Sequence, residues 1–524
     1  MRLESGAGGK WFVRGKLFFN LGALVTDFAL IGAGAGGTFL FSRIIDELER
    51  NGADVTGKRI TVINPDATFG TGTAYGPGNG EALLNRSTGR MDLAGDGRFA
   101  RWVARPGAVR QALAEKEFLP RRTFGEYLAA MLRESIRRAR RIGVVVDVVR
   151  DEAIGVQAGP SGGYRVDTAG SGPVSAGAVV LAMGAPGSHD QYALTGAPGY
   201  VPQAPPFGAE FEAIPDGARV GVLGSRLSGI DTALHLLSRG HTGPISLLSR
   251  GGMLPSVRGD NPAWELQAFT PHAMRRVRAR EGADFGLRSV LRELSGELRL
   301  AGARFSDIGL TSGLTAAQSH RRLEEDLARS HEPVAWQSVL ASTNEVISVC
   351  WQALPATHRH WFLRNLHSGW MARRVPIPVV SARALDAAIK SGAIGLVAGV
   401  HDIRAARQGF EVAAESGGER FDWIVNCTGA ARTVHKGASR LTDQLLGDGI
   451  AARDLFGGLR LEPRTGRVLA ADGEVQDGLY ALGALTCGAH YVTSAIDVVG
   501  RQAELIAEQI VAALTEPQLA QAVS

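Results

Sequence analysis

The chain has 524 residues, 45% of them hydrophobic, which is long enough for two or three domains with complete cores. Its 57 basic and 52 acidic residues leave a formal net charge of only +5. No recognition motif accompanies the arginine-rich stretches 133–141 and 275–280, so we expect no nucleic-acid partner. Three widely spaced cysteines, Cys350, Cys427 and Cys487, argue against disulfides, paired redox cysteines and a metal site. They favour a reduced, cytoplasmic compartment.

Residues 1–26 are interpreted as an N-terminal extension, and residues 516–524 as a tail. Residues 17–25 follow two basic side chains and imitate a signal peptide, but the first predicted strand begins almost immediately afterwards, at Phe28. No apolar run approaches the roughly 20 residues that cross a bilayer. The sequence therefore predicts no membrane partner.

The first strand runs into the motif Gly32-x-Gly34-x-x-Gly37 and a helix-like stretch. In a dinucleotide-binding turn, the first glycine allows the tight bend, the second lets the backbone approach a pyrophosphate, and the third lets the helix pack on the strand. A second apolar run, 59–63, ends before Asn64, where an acid usually holds the adenosine ribose. Asparagine can still form a hydrogen bond to a hydroxyl group.

The same theme returns in the second half of the chain, with Arg226 where the second glycine is expected. Its second strand ends in a serine and Arg250 rather than an acid, which favours the 2′-phosphate of NADPH over NADH. Arg226 either blocks the backbone approach or meets the phosphate with its guanidinium. The residues assigned to this nucleotide site are Gly224, Ser225, Arg226, Gly229, Ser249 and Arg250.

Several motifs occur in a fixed order along the chain. They are Gly32-x-Gly34-x-x-Gly37, Phe69-Gly-Thr-Gly72-Thr-Ala-Tyr75, Leu83-Leu-Asn85 with Met91, Arg121-Arg-Thr-Phe-Gly-Glu-Tyr-Leu128, the Gly224 motif, Asn426-Cys-Thr-Gly429 and Leu482-Gly483. This order resembles the two-dinucleotide-binding-domain flavoproteins. Among them it is similar to the bacterial FAD/NAD(P)-binding family that is distantly related to lysine and ornithine N-monooxygenases.

The resemblance implies an α/β fold with two Rossmann-like domains, for FAD and NADPH, and a helical insertion. The FAD-binding domain is predicted in two segments, 27–212 and 386–515. Between them lies the NAD(P)-binding domain at 213–385, which includes the insertion at about 260–375. The residues expected at FAD are Gly32, Ala33, Gly34, Gly36, Gly37, Asn64, Asn85, Met91 and Gly483.

The implied activity is that of an FAD-dependent, NADPH-using monooxygenase that takes dioxygen and a small substrate. N-hydroxylation of an amine or amino acid through a C4a-hydroperoxyflavin is favoured. Tyr75, His490 and Tyr491 are candidates for the pocket, and each has a packing role as its alternative. No Ser-His-Asp or paired-carboxylate constellation stands out, as expected when the cofactor carries the chemistry.

Two alternatives stay open. An FAD oxidase or dehydrogenase that takes hydride from its substrate does not need Arg226 to meet NADPH. A non-catalytic flavin-binding sensor would bind FAD without oxidising NADPH. The sequence names neither the substrate nor the oligomeric state.

Overall fold

The computed structural model describes residues 11–13, 16–18, 24–65, 68–80, 82–91, 96–105, 116–159, 162–311 and 313–516. The strands are β1 (Trp11–Val13), β2 (Lys16–Phe18), β3 (Leu24–Ile31), β4 (Arg59–Ile63), β5 (Val145–Val149), β6 (Ala153–Ala158), β7 (Tyr164–Thr168), β8 (Val174–Leu181), β9 (Tyr200–Val201), β10 (Val220–Leu223), β11 (Ile245–Leu248), β12 (Ile394–Val397), β13 (Val400–Ala405), β14 (Phe410–Ala414), β15 (Gly417–Phe421), β16 (Trp423–Asn426), β17 (Arg467–Leu469) and β18 (Val475–Ala481).

The helices are α1 (Ala35–Asn51), α2 (Arg98–Val103), α3 (Arg121–Arg141), α4 (Ala209–Glu212), α5 (Leu227–Ser238), α6 (Pro271–Glu281), α7 (Leu287–Leu300), α8 (Ala316–Ala328), α9 (Ala335–Ser342), α10 (Asn344–Ala353), α11 (Ala356–Asn365), α12 (His367–Arg374), α13 (Val379–Lys390), α14 (Arg440–Gly447), α15 (Cys487–His490) and α16 (Ile496–Thr515).

The first sheet has the order β17-β18-β8-β3-β4-β5, with parallel pairing from β18 through β5. Its central strand β3 is wholly apolar from Phe28 to Ile31, as expected for a parallel strand that is buried on both faces. Helices α1, α3 and α16 pack on one face of this sheet. The antiparallel strands β6 and β7 extend it beside β8. This is the first Rossmann-like unit.

The second sheet is fully parallel, in the order β12-β11-β10-β16-β9. It draws on residues from 200–201 to 423–426, a wider span than the 213–385 predicted from sequence. The antiparallel strands β13, β14 and β15 lie between β12 and β16 in the chain and form a separate small sheet. The prediction differs because an apolar strand does not itself specify which of two sheets it joins.

Helices α6 to α12 form the insertion, which agrees with the predicted helix-rich stretch 260–375. Their shared core is aromatic, with Phe269, Trp336, Trp351 and Trp370 all buried. Residues from the C-terminal region of the first unit, including Tyr491, pack into the same core. The insertion is therefore packed against the first unit as well as being carried by the second.

The N-terminal boundary differs slightly from the prediction. Strand β3 begins at Leu24, and Leu24 and Val25 pair in register with Val174 and Ser175, so the sheet includes residues that were assigned to the extension. Among the described helices, none is both long and apolar enough to span a bilayer.

Candidate active-site cleft

The first glycine-rich turn connects β3 to α1. Gly32 has a φ of +100°, and a Cβ atom there would collide with the carbonyl oxygen of Ala182 after β8. A Cβ on Gly37 would meet the carbonyl oxygen of Gly32. Gly34 is the N-cap of α1, has no side-chain cap, and has no acidic residue in the turn that follows. This uncapped helix start fits the pyrophosphate of FAD.

The side chain of Asn64 holds this turn in place through hydrogen bonds. Its Oδ1 accepts a hydrogen bond from the backbone N–H of Ala33 at 2.8 Å, and its Nδ2 donates to Thr68 Oγ1 at 3.1 Å. Asn64 is 5% exposed, so both ends of its amide are used within the protein. The geometry shows a residue that fixes the turn, whereas the sequence predicts a contact to the ribose.

The segment around Gly483, near the other end of the chain, packs against the first glycine-rich turn. A Cβ on Gly36 would lie 3.3 Å from Leu482 and 3.2 Å from Val499 of α16, which places this segment directly against the first turn. Gly483 has a φ of +76°, and its N–H donates to Gln502 Oε1 at 2.9 Å. Two stretches at opposite ends of the chain therefore meet at the first turn.

The second glycine-rich turn repeats the construction of the first. A Cβ on Gly224 would lie 2.6 Å from the carbonyl oxygen of Cys427 after β16, and one on Gly229 would meet the carbonyl oxygen of Gly224. Ser225 is buried and donates to the carbonyl oxygen of Met253 at 2.7 Å. The segment after β11 is thus tied onto the turn, a contact that the sequence does not reveal.

Arg226 is the N-cap of α5 and makes no side-chain capping bond. Burial lowers the pKa of its guanidinium, and Tyr491 and Arg250 are its titratable neighbours. Arg250 itself is exposed, and Ser249 accepts a hydrogen bond from the backbone N–H of Gly252 at 3.1 Å. An exposed arginine at the end of β11 is accessible to a 2′-phosphate.

A cleft of about 350 Å³ lies where the first unit, the second unit and the insertion meet. Three residues predicted at the flavin or substrate, Tyr75, Asn85 and Met91, line it together. The start of α16, Ile496 and Asp497, forms another wall. Burial raises the pKa of Tyr75, so this phenol stays protonated at neutral pH.

His490 and Tyr491 are not among the residues that line the cleft, although the next residue, Val492, is. The Tyr491 hydroxyl lies 2.9 Å from His367 Nδ1, and its ring packs against Trp351 and Phe362 of the insertion. Burial raises the pKa of Tyr491 and lowers that of His490 to about 4. These contacts favour the packing alternative for Tyr491.

Sequence reasoning missed most of the charged residues in the cleft. Asp497 accepts hydrogen bonds from Arg86 Nη1 at 3.0 Å and from Asn344 Nδ2 at 2.7 Å. The arginines that line the cleft come from three separate stretches of the chain, and no local motif predicts that they converge. They are Arg86, Arg90, Arg258, Arg373 and Arg374.

One set of acidic and histidine side chains lies outside the cleft. His320, Glu324 and Asp386 approach one another closely enough to hold a cation. However, Lys390 Nζ lies 2.9 Å from both carboxylates, and His320 Nε2 lies 2.8 Å from Asp386. The lysine ammonium already forms an ion pair with both carboxylates.

Two Rossmann-like sheets in one chain, the second carried between the two segments of the first, define the fold of the two-domain FAD/NADP-binding proteins. Residues 29–186 match a family model described as FAD-NAD(P)-binding, which covers the first glycine-rich turn and the Asn85 and Met91 segment. No curated protein matches the chain by sequence.

Solved structures share this fold at low sequence identity. The ornithine hydroxylase from Pseudomonas aeruginosa is 13% identical with a TM-score of 0.59, over 94% of this chain and 100% of that one. The L-lysine 6-monooxygenase from Pseudomonas syringae is 15% identical with a TM-score of 0.57, over 93% and 99%. The FAD-bound cadaverine monooxygenase from Erwinia amylovora is 15% identical with a TM-score of 0.56, over 93% and 94%.

Proposed function

We propose that the protein is an FAD-dependent, NADPH-using monooxygenase that hydroxylates a nitrogen atom of a small molecule. The observation that carries this proposal is the cleft, in which Asn85, Met91 and the start of α16 meet the helical insertion. Enzymes of this fold that hydroxylate ornithine, lysine and cadaverine support the reaction type. The unpaired cysteines are consistent with the predicted cytoplasmic compartment.

The chemistry that bound FAD supplies is acceptance of a hydride from NADPH and activation of dioxygen. The protein's own residues bind, orient and exclude water. The two helix starts without a side-chain cap, at Gly34 and Arg226, would hold the pyrophosphates of FAD and NADPH through their backbone N–H groups. Tyr75, packed edge-on against Phe124 at 4.9 Å between ring centroids, and the buried Met91 give the cleft an apolar wall that would help to exclude water.

A second candidate is an FAD oxidase or dehydrogenase that does not use NADPH. It is favoured by the second turn, where Arg226 replaces a glycine and Met253 is hydrogen-bonded to Ser225. Both features bring side chain or backbone close to the place where a nicotinamide dinucleotide approaches. A flavin-binding sensor without catalytic activity is the alternative that is not an enzyme.

Anaerobic mixing of the FAD-loaded protein with NADPH, followed by air, tests these functions. The proposal predicts that NADPH bleaches the flavin absorbance, and that air restores it with formation of a hydroxylated amine. An added amine or amino acid should raise the fraction of NADPH consumption that yields product.

The other outcomes are distinct. Failure of both NADPH and NADH to bleach the flavin would contradict the proposal. Bleaching by a substrate alone would then identify an oxidase or dehydrogenase. Bound FAD that no nicotinamide and no substrate reduces would indicate the sensor.

A further inference from the structure

We propose that the cleft selects a small substrate that carries carboxylate groups and has a net negative charge. This inference rests on the proposed function because it assigns the substrate class to the same cleft. It differs from what the solved structures suggest, because ornithine, lysine and cadaverine all carry ammonium groups on their side chains or chain ends.

The first argument is the balance of charge. The described lining residues of the cleft include five arginines but one acid, Asp497. Asp497 forms an ion pair with Arg86 at 3.0 Å. Arg373 forms an ion pair at 2.8 Å with Asp326, which does not itself line the cleft. The remaining three arginines, Arg90, Arg258 and Arg374, form no ion pair with a carboxylate in the stretches of chain that the structure describes.

Those three side chains are held by neutral acceptors. Arg90 Nη2 donates to the carbonyl oxygen of Asn261 at 2.7 Å, and Arg258 Nη2 donates to the carbonyl oxygen of Asn85. Arg374 Nη1 donates to the carbonyl oxygen of Leu340 at 2.6 Å. Carbonyl groups orient a guanidinium but do not neutralise it. Within the described part of the chain, three guanidinium groups at the cleft therefore have no carboxylate partner.

Arg258 is the sharpest of these features. Its Nε is buried and has no hydrogen-bond partner, although its terminal nitrogen is held beside Asn85. Burial, with Arg86 and Arg90 close by, lowers the pKa of Arg258 to about 10, so it is still charged at neutral pH. Glu117 is the acidic neighbour that opposes this shift, more weakly than the two arginines promote it. An unpaired, partly desolvated donor is satisfied best by an anion.

The positive charge is not explained by the phosphates of the two cofactors. The cleft lining includes none of the residues of the glycine-rich turns at 32–37 and 224–229. Those turns have their own uncapped helix starts for pyrophosphates. The arginines of the cleft line the same space as Asn85 and Met91. A planar guanidinium matches a carboxylate through paired hydrogen bonds.

The same charges act against the wrong substrate. A diamine would bring two ammonium groups to a cleft that already holds three uncompensated cations, and like-charge contacts in a partly desolvated site oppose binding. We therefore expect the cleft to discriminate between acids and amines of equal length. The amine to be hydroxylated would belong to an otherwise acidic molecule.

The test is a binding titration of the FAD-loaded protein with length-matched probes. Succinate and glutarate are compared with putrescine and cadaverine at constant ionic strength, by perturbation of the flavin absorbance and, independently, by equilibrium dialysis. We expect each dicarboxylate to bind at least about tenfold more tightly than the diamine of equal length. Equal or tighter binding of the diamines would overturn the proposal.

Variants locate the effect. Arg258→Gln and Arg90→Gln should each weaken dicarboxylate binding about tenfold, while Arg90→Lys should retain some of it. Arg304→Gln is the matched control, because Arg304 is 82% exposed, pairs with Asp307 and does not line the cleft. NADPH affinity should not change in Arg90→Gln. An equal loss for NADPH and dicarboxylates would assign the arginines to the cofactor and overturn the inference.

The two proposals fail separately. If the protein binds dicarboxylates selectively but NADPH does not reduce its flavin, the monooxygenase proposal is contradicted and the proposal of an acidic substrate is retained. If NADPH reduces the flavin but the cleft prefers diamines, the monooxygenase proposal is retained and the proposal of an acidic substrate is contradicted.

Discussion

At the scale of single residues, the strongest constraint is the space around the first turn. Gly34 lies at the start of α1, and a Cβ there would be 3.2 Å from the Cα of Gly72 in the facing loop. Gly34→Asp would add bulk and a carboxylate where a pyrophosphate is expected, so we predict loss of FAD. Flavin absorbance per mole of purified protein measures the effect.

The control for this prediction is Gly217→Asp. A Cβ atom added at Gly217 would meet no heavy atom within 4 Å beyond its chain neighbours, so this variant should retain full flavin content. A Gly34→Asp protein that stays fully yellow would contradict the assignment of FAD to the first turn. Circular dichroism of both variants separates loss of flavin from loss of fold.

Arg226 is the residue at which the second turn departs from a dinucleotide-binding motif. Arg226→Gly would remove a half-buried cation and restore the backbone approach, so the affinity for NADPH should change while the flavin content stays constant. Arg226→Lys keeps the charge without the guanidinium and tests whether bulk or charge matters. The dissociation constant of NADPH is the measurement. Unaltered affinity in both variants would favour the oxidase or dehydrogenase.

The sequence predicts contacts that depend on the spacing of residues within one motif. It misses contacts between residues from distant parts of the chain that meet only in the folded protein. Gly32 and Gly37 have the geometry that their motif requires. Asn85, which the resemblance implies to lie near the flavin ring, lines the cleft. Arg258 and Asp497 follow no motif, and their roles exist only once the insertion and α16 meet. Polar residues acquire such roles from tertiary contacts, which one sequence does not display.

At the scale of elements, the connection between α15 and α16 contains an unusual turn. Tyr491 has a φ of +60° and a ψ of −60°, and the N–H of Val492 donates to the carbonyl oxygen of His490 at 2.7 Å. This γ-turn is strained for a side chain with a Cβ. It is held by Arg432, which donates to the carbonyl oxygen of Tyr491 at 3.1 Å.

His367, which contacts Tyr491 in this turn, makes the stability of the protein depend on pH. Burial, with Arg432 and Arg226 close by, lowers the pKa of His367 from 6.5 to about 3. Because the folded pKa lies below the unfolded one, the neutral imidazole contributes stability above pH 6.5 that is lost progressively as pH falls toward 3. One proton of this kind contributes at most about 1.4 kcal/mol per pH unit.

We predict that His367→Asn lowers stability at neutral pH, through the lost contact to Tyr491, yet makes the decline toward acid shallower. Urea unfolding from about pH 7 to about pH 5 measures the slope. The exposed His272 provides the control, and His272→Asn should leave the slope unchanged. A slope in His367→Asn equal to that of the parent protein would show that His367 does not titrate as inferred.

The elements themselves are largely predictable because apolar runs and glycine turns are local. Strand β4 spans residues 59–63 as predicted, and the insertion is helical. Sheet membership is not local. Strands β12 and β16 are short apolar runs like those of the first unit, and only their pairing with β11 and β10 assigns them to the second.

At the scale of the whole molecule, specific polar and aromatic contacts join the two nucleotide units. The N–H of Phe207 donates to the carbonyl oxygen of Gly78 at 2.6 Å, and the Phe207 ring stacks on His235 of α5. Arg121 at the start of α3 pairs with Asp231 of α5 at 2.7 Å. This ion pair joins a motif of the first unit to the helix that begins at the second turn.

The Arg121–Asp231 pair yields a prediction about coupling between the units. Both side chains are mostly buried, at 19% and 14% exposure, and burial raises the pKa of Asp231 to about 6 although Arg121 opposes the shift. Removal of either residue leaves a charge without its partner, so Arg121→Met and Asp231→Leu should each lower the free energy of unfolding by about 3 kcal/mol.

The double variant should have a free energy of unfolding at least as high as that of the less stable single variant, because it leaves neither charge unpaired. The exposed pair Arg467–Asp477, with side-chain exposures of 34% and 91%, is the control and should show a coupling of at most about 1 kcal/mol. Additive losses at Arg121 and Asp231 would show that the pair does not join the units. If the pair does join the units, flavin reduction by NADPH should slow in the single variants, because helix α5, which begins after Arg226, is no longer held against the flavin-binding unit.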